Sequence, residues 1–153
     1  MSGSFRKNSV FLFFTVIRPN VAAMEVAIAT EWLDRLATAW RDRDPEAAAN
    51  LFTSDATYRS YPFQAPLRGR AEITEYWASA TSSQTGIDVN FGAPLVDGDR
   101  VAVEWWSVID EGGRPTTDAG GLFLTFVDGR CSSLREYWNL ADEALPVPEG
   151  WGQ

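Results

Sequence analysis

With 153 residues the chain has the length of one domain, enough to bury roughly 70% of the surface its unfolded form exposes. Its formal net charge is −8, and the basic residues (twelve arginines and one lysine) are scattered rather than gathered into a stripe, which argues against nucleic acid as a partner. No histidine occurs, which excludes a Ser-His-Asp triad, a Cys-His dyad and imidazole metal sites. Proton transfer then falls to Asp, Glu or Tyr, and no metal or other cofactor is expected. The single Cys131 cannot form an intrachain disulfide; it follows "VDGR" at a turn and reads as a small filler residue suited to a reducing cytoplasm.

Residues 1–23 differ in character from the rest. Arg6 and Lys7 precede an apolar run from Val10 to Ile17, which Arg18 and Pro19 end. That run is too short to span a bilayer, so no membrane partner is expected, and Val21-Ala22-Ala23 is a poor signal-peptidase site. The segment is expected to lie outside the fold, with Met24 a candidate for the start in use, a domain over 24–143 and a tail over 144–153.

From Ala29 to Arg43, Leu33, Leu36, Ala37 and Trp40 recur at helical spacing and predict a first long helix. Asp44 stands where an N-cap should be, with Pro45 at the first helical position, so "DPEAAANLF" opens a second, short helix. A short strand, "DATYRSY", follows. After "PFQAPLR", the stretch "GRAEITEYWASA" restores helical spacing through Ile73, Trp77 and Ala80. Four strands come next, at about Ile87–Val96, Val101–Asp110, Thr116–Val127 and Cys131–Leu140, joined at "DGD", "EGGRP" and "DGR". Three helices followed by an antiparallel meander predict an α+β, cone-shaped fold in which helices cover one face of a strongly curved sheet and enclose a pocket.

This order of elements, together with "LFTSDATY", "YPFQAPLRGRAEI" and "DGRCSSLREYWNL", resembles the SnoaL-like branch of the nuclear-transport-factor-two-like superfamily, over about residues 29 to 142. That branch includes limonene-epoxide hydrolase and polyketide cyclases. The resemblance implies a dimer formed sheet to sheet, but no single motif is specific for an activity, because isomerases, hydrolases, cyclases and binding modules share the scaffold. Limonene-epoxide hydrolases activate water with an Asp-Arg-Asp set plus Tyr and Asn. Tyr58 matches the tyrosine, Ser60 falls at the asparagine and Glu136 at one aspartate, whereas Trp105 and Ser107 occupy the places of the arginine and the second aspartate. Without the cation that relay cannot be assembled.

Strand parity supplies a site independently. If Trp105 faces the cavity, so do Ser107 and Ile109, since side chains alternate with period two. Pairing through "EGGRP" is expected to set Trp105 opposite Leu122, Ser107 opposite Gly120 and Ile109 opposite Asp118. Pairing through "DGR" then sets Leu122 opposite Leu134, Gly120 opposite Glu136 and Asp118 opposite Trp138. This gathers Glu136, Asp118 and Tyr58 as candidate acid–base residues, with Gly120 leaving a gap between them and Trp105, Leu122, Leu134 and Trp138 as walls. Glu136 in this role is the proton mover, Tyr58 polarises a substrate oxygen, and Asp118 with Ser107 orients the substrate. A one-residue slip would instead turn Arg135 inward, and Gly120 also reads as a simple bend. Ser60, Tyr61 and Phe63 are placed at the rim. Trp32, Trp40, Trp77 and Phe52 read as core, Arg68 and Arg70 as solvated, and Trp106 as an exposed tryptophan on the convex face that suits a second copy. The ligand expected is a small apolar or amphipathic molecule. Two functions stay open: an acid–base isomerase, cyclase or hydratase, and a non-catalytic binding module.

Overall fold

The computed structural model describes residues 25–153, so the readings for residues 1–23 and for Met24 lie outside the described residues. Helix α1 (Val26–Asp42) buries Ala29, Trp32, Leu33, Leu36 and Ala37 on one side. It ends at Arg43, whose left-handed backbone (φ 53°) turns the chain out of the helix. Asp44 accepts the Ala47 N–H at 2.9 Å and Pro45 opens α2 (Pro45–Ala49), the capping chemistry expected from the sequence. After strands β1 (Phe52–Arg59) and β2 (Leu67–Arg68) comes α3 (Gly69–Thr81), which buries Ile73, Trp77 and Thr81. Arg70 is not free in solvent: its Nε donates to the Phe52 carbonyl at 2.9 Å.

The remaining strands are β3 (Gly86–Phe91), β4 (Leu95–Asp97), β5 (Arg100–Asp110), β6 (Pro115–Val127) and β7 (Arg130–Ala141). They form one curved sheet in the order β2-β1-β7-β6-β5-β3, with β4 also on β5. β1 runs parallel to β7; the other pairs are antiparallel. The single strand expected over Ile87–Val96 is thus two. The break falls at Gly92, where a side chain would meet the Gly152 Cα at 2.6 Å.

The register differs from expectation by two residues in both hairpins. β5 and β6 close from Asp110 to Pro115, two residues tighter than the expected pairing requires, so Trp105 faces Gly120, Ser107 faces Asp118 and Ile109 faces Thr116. β6 and β7 turn at Asp128-Gly129, both with positive φ (49° and 75°), the backbone of a two-residue hairpin. A bulge then shifts the ladder between Phe126–Cys131 and Thr125–Ser133. Leu122 therefore faces Glu136, Gly120 faces Trp138 and Asp118 faces Leu140. Two-residue shifts keep each side chain on its face, so the inward set survives although its partners change.

Gly120 leaves no gap. A Cβ there would lie 2.0 Å from the Tyr137 carbonyl oxygen and 2.7 Å from the Trp138 Cα, so the glycine lets β7 close against β6 where the sheet bends. On the concave side α1 seals the core, Trp32 meeting Phe52 and Phe126 edge-on at 5.6 and 5.4 Å. On the convex side the C-terminal tail folds back over β5 and β6. Thr117 Oγ1 donates to the Glu143 carbonyl, the Leu145 N–H donates to Thr117 Oγ1, and Gly152 bonds both Ala93 and Glu104. Trp106 is consequently half-buried rather than exposed: its Nε1 donates to the Leu145 carbonyl at 3.2 Å and Trp151 packs on its ring at 6.1 Å. Its role as a partner surface loses its basis.

Gly120→Ala is expected to destabilise the fold by about 2–3 kcal/mol or more, as an overpacked site does, while Gly121→Ala, whose Cβ would meet only the Val103 carbonyl at 3.9 Å, should cost under about 1 kcal/mol. Urea unfolding of the two variants checks the contrast.

Candidate functional site

The concave face of the sheet and helices α1 and α3 enclose a cavity of about 250 Å³. Inward positions of β5, β6 and β7 supply Trp105, Ile109, Leu122, Leu134 and Trp138, all expected from strand parity. Four titratable groups line it: Glu136, Asp118, Tyr58 and Tyr76. Glu136 is 8% exposed and accepts a hydrogen bond from the Tyr58 hydroxyl. Asp118 lies on the neighbouring strand, and Tyr76 packs against Tyr58 with ring centroids 5.2 Å apart.

The electrostatics follow from burial. Loss of water pushes the Glu136 carboxyl up to about 7; the bond from Tyr58 pulls it back down and the negative charge of Asp118 raises it further. Burial also pushes Asp118 up to about 6, with Glu111 adding to the effect. Tyr58 is held well above the ordinary phenol range, by burial first and by Glu136 second, and Tyr76 is raised for the same two reasons. Among the described residues the one ion pair is Arg100–Asp97 at the surface, and no arginine or lysine lines the cavity. Glu136 thus has a phenol for a neighbour and no cation.

Several expected site residues fall elsewhere. Ser107 is fully buried behind the wall, its hydroxyl without a partner, and does not line the cavity. Ser60 is outside the lining too; its carbonyl accepts from Trp138 Nε1 at 2.9 Å, which steadies the indole at the mouth. Tyr61 and Phe63 are 43% and 88% exposed and pack on each other at 5.7 Å, away from the lining. The Tyr58 hydroxyl donates its hydrogen bond to Glu136, so it positions the carboxyl rather than facing a substrate oxygen directly.

The cavity also takes in residues outside the expected site. Trp77 lies in the core with Trp40 packed against it, as expected, and both line the cavity as well; Trp40 meets Trp77 at 5.5 Å and Trp105 at 5.6 Å. Tyr76, absent from the expected site, also lines the cavity; it sits three residues after Ile73 on the same stripe as Trp77 and Ala80, so the helical spacing carries its signal. Gln84 and Phe91 also line the cavity; Gln84 Oε1 accepts from Trp40 Nε1 at 3.0 Å. Cys131 is buried and its thiol is pushed up to about 12 by burial, in keeping with a filler residue. Among the described residues no group of three His, Cys, Asp or Glu side chains is placed to hold a metal ion.

The SnoaL-like domain family matches the sequence over residues 33–134, two thirds of the chain. The chain belongs to the SnoaL-like domain family. Solved structures agree on the fold. A SnoaL-like relative in shape is a protein from Catenulispora acidiphila with a ketosteroid isomerase-like fold, in complex with trimethylamine (24% identity, 73% of this chain and 88% of that one, TM-score 0.66). An epoxide hydrolase from M. tuberculosis of the limonene-epoxide hydrolase type aligns at 18% identity over 74% and 84% of the two chains (TM-score 0.63). An epoxide hydrolase/cyclase-like enzyme of pyran ring formation in the polyether salinomycin aligns at 22% over 76% and 90% (TM-score 0.63). No curated protein sequence matches this SnoaL-like chain. Among the described residues no helix is long and apolar enough to cross a membrane.

Both cavity carboxyls hold their protons more tightly folded than unfolded, Glu136 at about 7 against 4.5 and Asp118 at about 6 against 3.8. A raised carboxyl stabilises the fold at low pH, and that contribution is lost as pH rises from the unfolded to the folded value. The melting temperature is therefore expected to fall by several degrees between pH 5 and pH 8, with Glu136 responsible for on the order of 2–3 kcal/mol. Glu136→Gln should flatten most of that slope in calorimetry.

Proposed function

We propose that this chain is a cofactor-independent enzyme that moves a proton on a small, largely apolar or amphipathic molecule held in the cavity, isomerisation being the reaction the arrangement suits best and cyclisation or hydration its variants. The supporting observation is Glu136: a buried carboxyl with no cationic partner, poised near neutrality, hydrogen-bonded on one oxygen and set in an aromatic cavity. A salt-bridged carboxylate would be a structural fixture. One balanced between its two protonation states at pH 7 is able both to accept and to return a proton.

In this reading Glu136 takes a proton from an activated carbon and delivers it to a second position. Tyr58 holds the carboxyl in place and favours its ionised form. Tyr76, on the adjacent ring, offers the hydroxyl that stabilises a developing oxyanion, the part first assigned to Tyr58. Asp118, half-buried on β6, serves as a second carboxyl that orients the substrate or relays the proton. The epoxide-opening relay of the family's hydrolases is not part of the proposal, because among the described residues no arginine lines the cavity. A cavity of about 150 Å³ accommodates benzene, so 250 Å³ suits a substrate of roughly ten non-hydrogen atoms. A second copy on the convex face would meet the exposed Phe123 and Tyr137, which pack together at 5.8 Å, rather than Trp106.

Deuterium exchange at the α-carbon of small bicyclic ketones such as 1-tetralone, followed by NMR in D₂O, tests the chemistry. The rate should rise with pH through about 7 as Glu136 ionises. Glu136→Gln should lose about 10²–10⁴ of it with the fold intact, and Tyr58→Phe should displace the acid limb to higher pH. Full exchange by Glu136→Gln would remove Glu136 from the chemistry, and no exchange by the wild type above the buffer rate would leave the binding-module reading in its place.

A further inference from the structure

The cavity presents half of an ion pair. Glu136 and Asp118 both face it and act on one another electrostatically, and among the described residues no positive group is brought to either. Taking each packed element in turn, β1 contributes Tyr58, α3 Tyr76, β6 Asp118 and β7 Glu136, with Glu111 of the β5–β6 turn acting on Asp118 from outside. The side chains from α1, β3 and β5 are uncharged, as is Gln84. Arg41 and Arg43, at the end of α1, donate to the Val89 and Gln84 carbonyls and do not line the cavity. A buried carboxylate without a partner is strongly disfavoured, so whatever enters this space with the carboxyls ionised is favoured by carrying the missing charge.

The walls point the same way. Trp40 meets Trp77 at 5.5 Å and Trp105 at 5.6 Å, and Tyr58 meets Tyr76 at 5.2 Å, so five aromatic rings border one small space. Trp77 and Trp105 are 6% and 4% exposed and their indole N–H groups have no partner, so neither ring is tied by a hydrogen bond within the protein. Aromatic faces attract an alkylated ammonium through their quadrupoles while presenting an apolar surface to its methyl groups. An anion would meet two carboxyls and the electron-rich faces of these rings.

We propose that the molecule this cavity selects carries a positive charge: a small organic cation, an alkylated ammonium on an apolar body of about ten non-hydrogen atoms, held between Glu136 and Asp118 against the faces of Trp40, Trp77 and Trp105. The proposal rests on the reading of the cavity as a ligand site and gives its substrate a charge. It has a further consequence. Because a cation favours the ionised carboxyls, binding near neutral pH expels a proton, and affinity rises from pH 5.5 to pH 8.

Benzyltrimethylammonium and its neutral isostere neopentylbenzene are the probes, followed by calorimetry and by quenching of tryptophan fluorescence. At pH 8 the cation should bind at least tenfold more tightly than the isostere. The ratio should shrink toward unity at pH 5.5 and in Glu136→Gln/Asp118→Asn. In wild type at pH 7, the heat measured in phosphate and in Tris should differ, because the two buffers take up the released proton with different enthalpies. Neopentylbenzene binding as tightly as the cation at pH 8 would overturn the charge assignment and leave the proton-transfer reading standing. Binding of neither would overturn both. Because the double variant removes charge without removing volume, a folded double variant that keeps the cation preference would also refute the proposal.

Discussion

A β-strand has only two faces, and one extra residue in a ladder exchanges them. In this protein that residue lies in the bulge at the start of β7, between the Cys131 and Ser133 pairings. The Asp128-Gly129 turn by itself would continue a regular ladder with Arg135 pointing inward and Glu136 outward. The bulge reverses this, so a carboxyl enters the cavity and a guanidinium is left on the convex face, where it lies over the Phe123 ring at 5.8 Å. Everything attributed to the site depends on that inversion. With Arg135 inside, the cavity would hold a permanent cation that titrates nowhere near neutrality.

The site is also where the fold gives up stability. Glu136 and Asp118 are easier to ionise in the unfolded chain than in the cavity, and the buried polar atoms of Ser107, Trp77 and Trp105 make no hydrogen bond. Each such atom costs about 1–3 kcal/mol. The compensation lies nearby, in the closely packed core of Trp32, Phe52 and Phe126 beneath α1 and in the β6–β7 and β5–β6 ladders. Such a division, with a well-satisfied frame around a poorly satisfied centre, is what a preformed small-molecule site requires.

Much of this was legible from the residues. Helices α1 and α3 were written in their apolar spacing, α2 in Asp44-Pro45, and the hairpins in Asp-Gly and Gly-Gly. The inward set of β5, β6 and β7 followed from parity, which is why Glu136, Asp118, Trp105 and Leu134 were placed on the correct face despite a two-residue error in register. The error itself has a plain cause: parity constrains only odd slips, whereas the choice between a four- and a six-residue loop at "EGGRP" depends on how tightly the Gly112-Gly113 backbone turns, which the pattern does not encode. Gly120 was ambiguous for a similar reason, since a glycine required by a neighbouring strand and one that clears space for a ligand are spelled alike. The tail over Trp106 was invisible because "DEALPVPEGWGQ" has no periodicity, and its contacts run through backbone groups of Leu145 and Gly152.

That tail has a bearing on how the chain is made. β1 finds its parallel partner in β7, some eighty residues later, and among the described residues the tail over 143–152 covers the outer face of β5 at Glu104 and Trp106. During synthesis, therefore, the helices and the first strand emerge before the strands that pair with them, and the contacts of Trp106 with Leu145 and Trp151 form only after residues 143–152 have been made. Pairings this distant in sequence close slowly. The nascent chain thus passes through a period with an unpaired first strand and an open tryptophan face, the kind of transient surface that makes a folding intermediate prone to aggregate.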